Sequence, residues 1–242
     1  MFLELAEVLD CPDCRASAGL VAFVDRAASR RVVDGRLGCP LCEIEVPIRR
    51  GTMRFDLSDA VRRATPADGI APADGIAPSA GPDGEAASEA ALRLAALLGV
   101  TERGGMVVLL GPRLAALAPA VARLGDRLEV LAWLPDSGDS SAPAAPAVDD
   151  LAAGVDPLLG AAPDRWPVRP GALHGIALAA PTVLEPSEIA RCARPGARLV
   201  VETPGPADLD ALAASGFAEV ASDPTVWVGE RGVDLPALDE TI

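Results

Sequence analysis

From residue 88 onward, short apolar runs alternate with stretches whose hydrophobic positions recur at helical spacing. "SEAALRLAALLG" (88–99) puts Leu92, Ala95, Ala96 and Gly99 on one helical face, with Ser88 as a candidate N-cap and Gly99 as a stop. "GGMVVLLG" (104–111) is an apolar run bounded by glycines, the pattern of a strand buried on both faces. "PRLAALAPAVARLG" predicts a helix weakened at Pro119, and "RLEVLAWL" a second strand. A loop, "PDSGDSSAPAAPA", and a short helix, "VDDLAAG", come next. "ALHGIALAA" reads as a strand, "EPSEIARCAR" as a helix, "ARLVVETP" as a strand and "ADLDALAASG" as a helix. "AEVAS" and "TVWVGER" close the pattern as an antiparallel pair. This alternation predicts an α/β domain over 88–232: a Rossmann-like, mainly parallel sheet with helices on both faces.

Before it lies a segment of different texture. Within residues 60–87, PADGIA occurs twice in tandem, followed by a decayed copy that begins PSAG. Such an Ala-Pro-Gly-Asp mixture buries no core and reads as a linker. At about 5–6 Å × √n, some 24 flexible residues separate their ends by roughly 25–30 Å, so the flanking domains are free to dock or drift. Residues 233–242 read as a tail.

Residues 1–59 carry strand-like runs, "GLVAFV" and "RRVVDGRLGC", between two cysteine pairs: Cys11-Pro-Asp-Cys14 and Cys39-Pro-Leu-Cys42, with 24 residues between them. Each Cys-x-x-Cys turn delivers two thiolates from one knuckle, and two knuckles on neighbouring hairpins supply the four tetrahedral ligands that a structural zinc takes. A thioredoxin-like redox pair needs one such motif in a βαβ setting. Disulfides need an oxidising compartment, and the acidic N-terminus (Glu4, Glu7, Asp10) lacks the basic start of a secretory signal. No uncharged apolar run reaches the ~18–20 residues of a membrane span, so the expectation is a cytoplasmic protein in which Cys11, Cys14, Cys39 and Cys42 hold zinc. Four thiolates leave no position for water, so this zinc is structural. In a region with few large apolar side chains, metal binding, on the order of 10–16 kcal/mol in zinc peptides, supplies most of the folding free energy.

Composition refines this picture at two points. Of 242 residues half are hydrophobic but only 3% aromatic, without tyrosine, so the core is built from Ala, Val and Leu. The net charge of −14 is confined to one side: residues 1–63 hold 10 arginines and 10 acids, the rest 11 arginines and 25 acids. Arg30/Arg31, Arg49/Arg50 and Arg62/Arg63 form at most small basic patches, and polyanion binding calls for a clustered cationic surplus. Nucleic acid is a disfavoured partner.

The stretch "LELAEVLDCPDC…DGRLGCPLCEIEVPIRRGTMRF", over residues 2–57, resembles the short zinc-ribbon family that includes the activator subunit shared by several transfer-RNA, ribosomal-RNA and release-factor methyltransferases. Both knuckles match. Val46 stands where the family has an aromatic residue, and Thr52-Met53 where it has Ile-Pro. The resemblance implies a protein partner, of the kind of a methyltransferase or a translation-related factor.

Residues 88–231 are similar in order to class I S-adenosylmethionine-dependent methyltransferases. "LAALLGVTERGGMVVLLG", "WPVRPGALHGIAL" and, most specifically, "EIARCARPGARLVVETPG" carry the likeness. The cofactor fingerprint departs from that pattern. The glycine-rich turn after the first strand reads "LLGPRLAAL": Gly111 remains, Pro112 removes an amide donor, and Arg113 and Leu114 add bulk. At the end of the second strand, where an acid would grip the ribose, stand Trp133 and Leu134, with Asp136 displaced into the loop. "AAPTVLEP" offers no Asn/Asp-Pro-Pro-aromatic motif. No other catalytic set forms: His174, the sole histidine, reads as a satisfied imidazole, and Cys192 as a buried thiol despite Arg191 and Arg194. Glu202, at the carboxyl end of the fifth strand, is the best single candidate for a functional carboxylate.

These readings together predict a structural zinc ribbon joined to a methyltransferase-like domain that has lost its cofactor: a non-catalytic interaction or regulatory protein. The alternative is an active S-adenosylmethionine-dependent methyltransferase with an atypical cofactor loop.

Overall fold

Helical and extended periods separate where the sequence switches from a 3.6- to a 2-residue repeat. The computed structural model describes residues 1–14, 18–28, 31–55, 85–100, 104–134, 154–159, 166–179 and 185–232. The repeat-bearing residues 60–84, the loop holding Asp136, most of "VDDLAAG", residues 180–184 and the tail 233–242 lie outside them.

A 3-10 turn, Leu3–Glu7, opens the chain, and four antiparallel strands follow: β1 (Val21–Ala28), β2 (Arg31–Gly38), β3 (Glu45–Arg49) and β4 (Thr52–Arg54). Helix α1 (Glu85–Leu97) starts one turn earlier than expected, so Ser88 lies inside it rather than capping it. Gly99, at φ +65°, follows it as the stop. Next come β5 (Gly105–Leu110), α2 (Pro112–Ala115), α3 (Ala118–Ala122), β6 (Leu128–Leu134) and β7 (Val155–Leu159). The helix expected over 112–125 is thus two short pieces, with Pro119 in the first turn of the second. This is where a proline without an amide hydrogen is tolerated. β8 (Leu173–Ala179), α4 (Pro186–Cys192), β9 (Ala193–Glu202), α5 (Pro206–Ala214), β10 (Phe217–Ser222) and β11 (Val226–Arg231) complete the order.

The eleven strands of the described residues form one sheet, in the order β1-β2-β3-β4-β7-β6-β5-β8-β9-β11-β10. From β7 to β9 the pairing is parallel, and β11 and β10 add an antiparallel edge. This is a Rossmann-like α/β sheet, with its order reversing between β5 and β8. Side chains alternate between two cores. On β5, Val107 and Leu109 pack with Leu94 of α1, Leu98 just after it and Val121 of α3. Val108 and Leu110 face the other way, toward Ile189 and Cys192 of α4 and Leu212 of α5. Helices therefore cover both faces.

The ribbon belongs to this sheet. β4 pairs in parallel with β7, Met53 opposite Leu158 and Arg54 opposite Leu159. The apolar ribbon side chains Leu5, Leu9, Leu37, Val46, Ile48, Met53 and Phe55 share one core with Trp133, Leu158, Trp166 and Val168. The sequence pattern does not reveal β7, because "VDPLL" is short, contains Pro157 and shows no alternation. Among the described residues no helix is long and apolar enough to cross a membrane.

Candidate metal centre and the carboxyl edge of the sheet

Two turns bring the four thiols together. Cys11 and Cys14 come after the 3-10 turn; Cys39 and Cys42 come after β2. The second knuckle is held by Cys39 N–H donating to the Ile44 carbonyl (2.9 Å) and Glu43 N–H donating to the Cys39 carbonyl (3.2 Å). Glu43 takes the left-handed conformation that reverses the chain (φ 60°). The Sγ atoms of Cys11 and Cys42 are 3.4 Å apart, those of Cys14 and Cys39 3.6 Å, and all four lie within 4.8 Å of one another. A tetrahedron with metal–sulfur bonds of about 2.3 Å spaces its sulfurs about 3.8 Å apart. The chemistry of this donor set therefore suits a thiophilic divalent ion, with Cys11 and Cys39 buried and Cys14 at the surface.

The environment also separates the thiols electrostatically. Burial pushes Cys11 well above its ordinary range. Cys39 also loses water, yet the amides of Leu41 and Cys42 and the adjoining thiols outweigh that and bring it down to about 7. The Leu41 N–H lies 3.4 Å from the Cys39 sulfur. Amide donors aimed at sulfur favour the thiolate form that a metal requires.

At the carboxyl edge, Gly111 follows β5 with φ +98°, and among the described residues a Cβ there would meet only Ala179, at 3.6 Å. The turn keeps its glycine geometry. Beyond Gly111 the chain departs from a glycine cradle: Arg113, on α2, reaches past the end of β8 and pairs with Glu202 at the end of β9. Glu202 is 17% exposed and Arg113 75%, and the pair joins the turn after β5 to the end of β9, beside the point where the strand order reverses. At the end of β6, Trp133 is fully buried, its ring 4.8 Å from that of Trp166 at 71°. The indole fills the core at the carboxyl end of β6.

The remaining candidates are dispersed. His174 lies at the amino end of β8, with its Nδ1 accepting from the Met106 N–H at 3.2 Å. Burial and Arg194 hold it below the usual imidazole range. Ala179, not His174, lies opposite Glu202, so histidine and carboxylate occupy opposite ends of the sheet. Cys192 is buried, its thiol pushed up to about 12 by loss of water and directed at the Val168 carbonyl. It is a packed thiol.

Sequence reasoning missed a buried polar cluster at the seam between β2, β6 and β7. Arg31 pairs with Asp156 and donates to the Val155 carbonyl (2.6 Å), with Glu129 at 3.8 Å. The Met1 α-amino group lies 3.5 Å from Asp156, and the Phe2 amide donates to the same carboxylate (2.9 Å). The one available signal was an acid inside an otherwise apolar run, "VDPLL".

No protein-family profile and no curated protein matches this sequence. Among solved structures, the fold is similar to that of a putative S-adenosylmethionine-dependent methyltransferase from Methanococcus maripaludis (11% identity, TM-score 0.46, 63% of this chain and 87% of that one). It is also similar to a predicted O-methyltransferase from Agrobacterium tumefaciens (15%, 0.42, 58% and 80%) and to the antibiotic-resistance methyltransferase Kmr (17%, 0.39, 59% and 93%). The chain has a Rossmann-like α/β fold with a four-cysteine ribbon built onto its sheet.

Proposed function

We propose that this chain is a non-catalytic binding or regulatory protein, in which a zinc-stapled ribbon and a methyltransferase-like domain together present a surface to a protein partner. The observation that carries the reading is the Arg113–Glu202 ion pair, which joins the turn after β5 to the end of β9 at the carboxyl edge, the edge where an open α/β sheet takes a ligand. Pro112 removes a backbone donor from the same turn, and the helix after β5 is broken after one turn, so little remains to cradle a phosphate or carboxylate. Zinc on Cys11, Cys14, Cys39 and Cys42 has a structural task, because four thiolates complete its coordination. A partner such as a methyltransferase or a translation-related factor follows from the ribbon resemblance, and the acidic balance disfavours nucleic acid.

The test is a calorimetric titration of S-adenosylmethionine into the zinc-loaded full chain. No saturable heat is expected; binding in the micromolar range would overturn the reading. It would support the alternative of an active methyltransferase with an atypical loop, which the preserved Gly111 turn favours. Under that alternative Gly111→Leu abolishes the binding.

A further inference from the structure

The first cysteine knuckle is tied to the α/β domain more tightly than a self-contained ribbon requires. Asp10, next to Cys11, donates its amide to the Pro167 carbonyl (3.3 Å) and places its carboxylate against Arg169 (3.4 Å) and Arg191 of α4 (4.0 Å). Arg169 N–H in turn donates to the Val8 carbonyl (2.9 Å). Arg191 also donates to the carbonyls of Trp166 (3.0 Å) and Val168 (2.8 Å), so one guanidinium links the knuckle's flank to the segment that leads into β8. At the other end of the same stretch, the Phe2 amide holds Asp156 on β7. Between these anchors, Leu5 and Leu9 pack in the core with Trp133, Leu158 and Trp166.

Residues 1–14 are thus the lid on the Trp133–Trp166 pair and on one side of β7. Met1 is hydrogen-bonded to Val32 of β2 and to Gly51 at the beginning of this stretch, and at its other end a metal bridging Cys11 and Cys14 to Cys39 and Cys42 would fasten the lid by coordinate bonds to the β2–β3 hairpin. We propose that metal occupancy of the four cysteines governs whether the β7 side of the parallel sheet stays covered: with metal bound the lid is closed, and without it residues 1–14 release and the Trp133–Trp166 face opens to solvent. The inference rests on the zinc assignment above and extends it from stapling the ribbon to controlling an apolar surface of the α/β domain.

The test uses the full chain loaded with zinc, then treated with a strong chelator, with the released metal counted by a zinc indicator. Amide hydrogen exchange is followed in the wild type. Tryptophan emission is followed in Trp227→Phe, which leaves Trp133 and Trp166 as reporters. The expected result is a red shift of the emission and about tenfold or faster exchange at residues 154–158 and 166–169, with β8 and β9 still protected and full reversal on adding Zn2+. Asp10→Ala, which keeps all four sulfurs, should retain its zinc yet show raised exchange at 166–169 in the loaded state. Metal release with exchange confined to residues 1–55, or loss of protection across β8 and β9 as well, overturns the lid while leaving the zinc assignment intact. A chain that neither carries nor takes up zinc overturns both.

Discussion

Arg31 and Asp156 form an ion pair with side chains only 8% and 3% exposed, one on the second ribbon strand and the other on the central strand β7. Burial pushes Asp156 above the ordinary carboxylate range, against the pull of Arg31, the α-amino group and the Phe2 amide. Removing one partner strands a charge without water, whereas replacing both with apolar groups of similar volume removes the problem along with the pair.

Asp156→Ala should therefore destabilise the chain by about 3–5 kcal/mol, while Arg31→Met with Asp156→Leu should come out near neutral. Urea denaturation of the single and double variants measures the difference. A small effect for Asp156→Ala would mean that the seam opens to water at little cost.

Glu129, beside this pair, is pushed up to about 7 by loss of water and by the Asp156 charge, with Arg31 pulling the other way. Its folded value lies above the unfolded one, so the folded state keeps a proton that the unfolded state releases from about pH 4.5 upward. Stability should fall as pH rises from about 4.5 to 7, by roughly 2–3 kcal/mol from this group. Glu129→Gln should flatten that slope, as read from melting temperatures across the window.

Metal analysis of protein purified without chelator should find one zinc per chain, and Cys39→Ser should lose it. Because Leu9 and Cys11 share a core with Trp166 and Leu158, the loss should also lower the melting temperature of the whole chain. A zinc content near zero in the wild type refutes the assignment.

The Arg113–Glu202 pair has a different energetic character. With Arg113 75% exposed, solvent screens the attraction, so Arg113→Ala should change stability by less than about 1 kcal/mol. A loss of several kcal/mol by denaturant titration would show that the pair bears on folding.

Much of this molecule is legible without its structure. The spacing of Cys11, Cys14, Cys39 and Cys42 names a four-sulfur cluster because a Cys-x-x-Cys turn is local geometry, carried wherever the hairpins go. Apolar runs such as "MVVLL" and "IALA" name buried strands, because a strand covered on both faces admits no polar alternation. "VDPLL" stays hidden: five residues with a proline resemble a loop until β4 and β6 close around them.

By itself, then, the sequence determined most of the elements, the alternating α/β order and the two cysteine knuckles, each of which depends on neighbours a few residues apart. Only the tertiary structure decided that the ribbon joins the sheet through β4 and β7, that Arg31 meets Asp156 across 125 residues, and that Arg113 meets Glu202 across 89. Such pairings leave no period in the chain, because they are selected by the packing of whole layers and by the cost of leaving a charge or a strand edge uncovered.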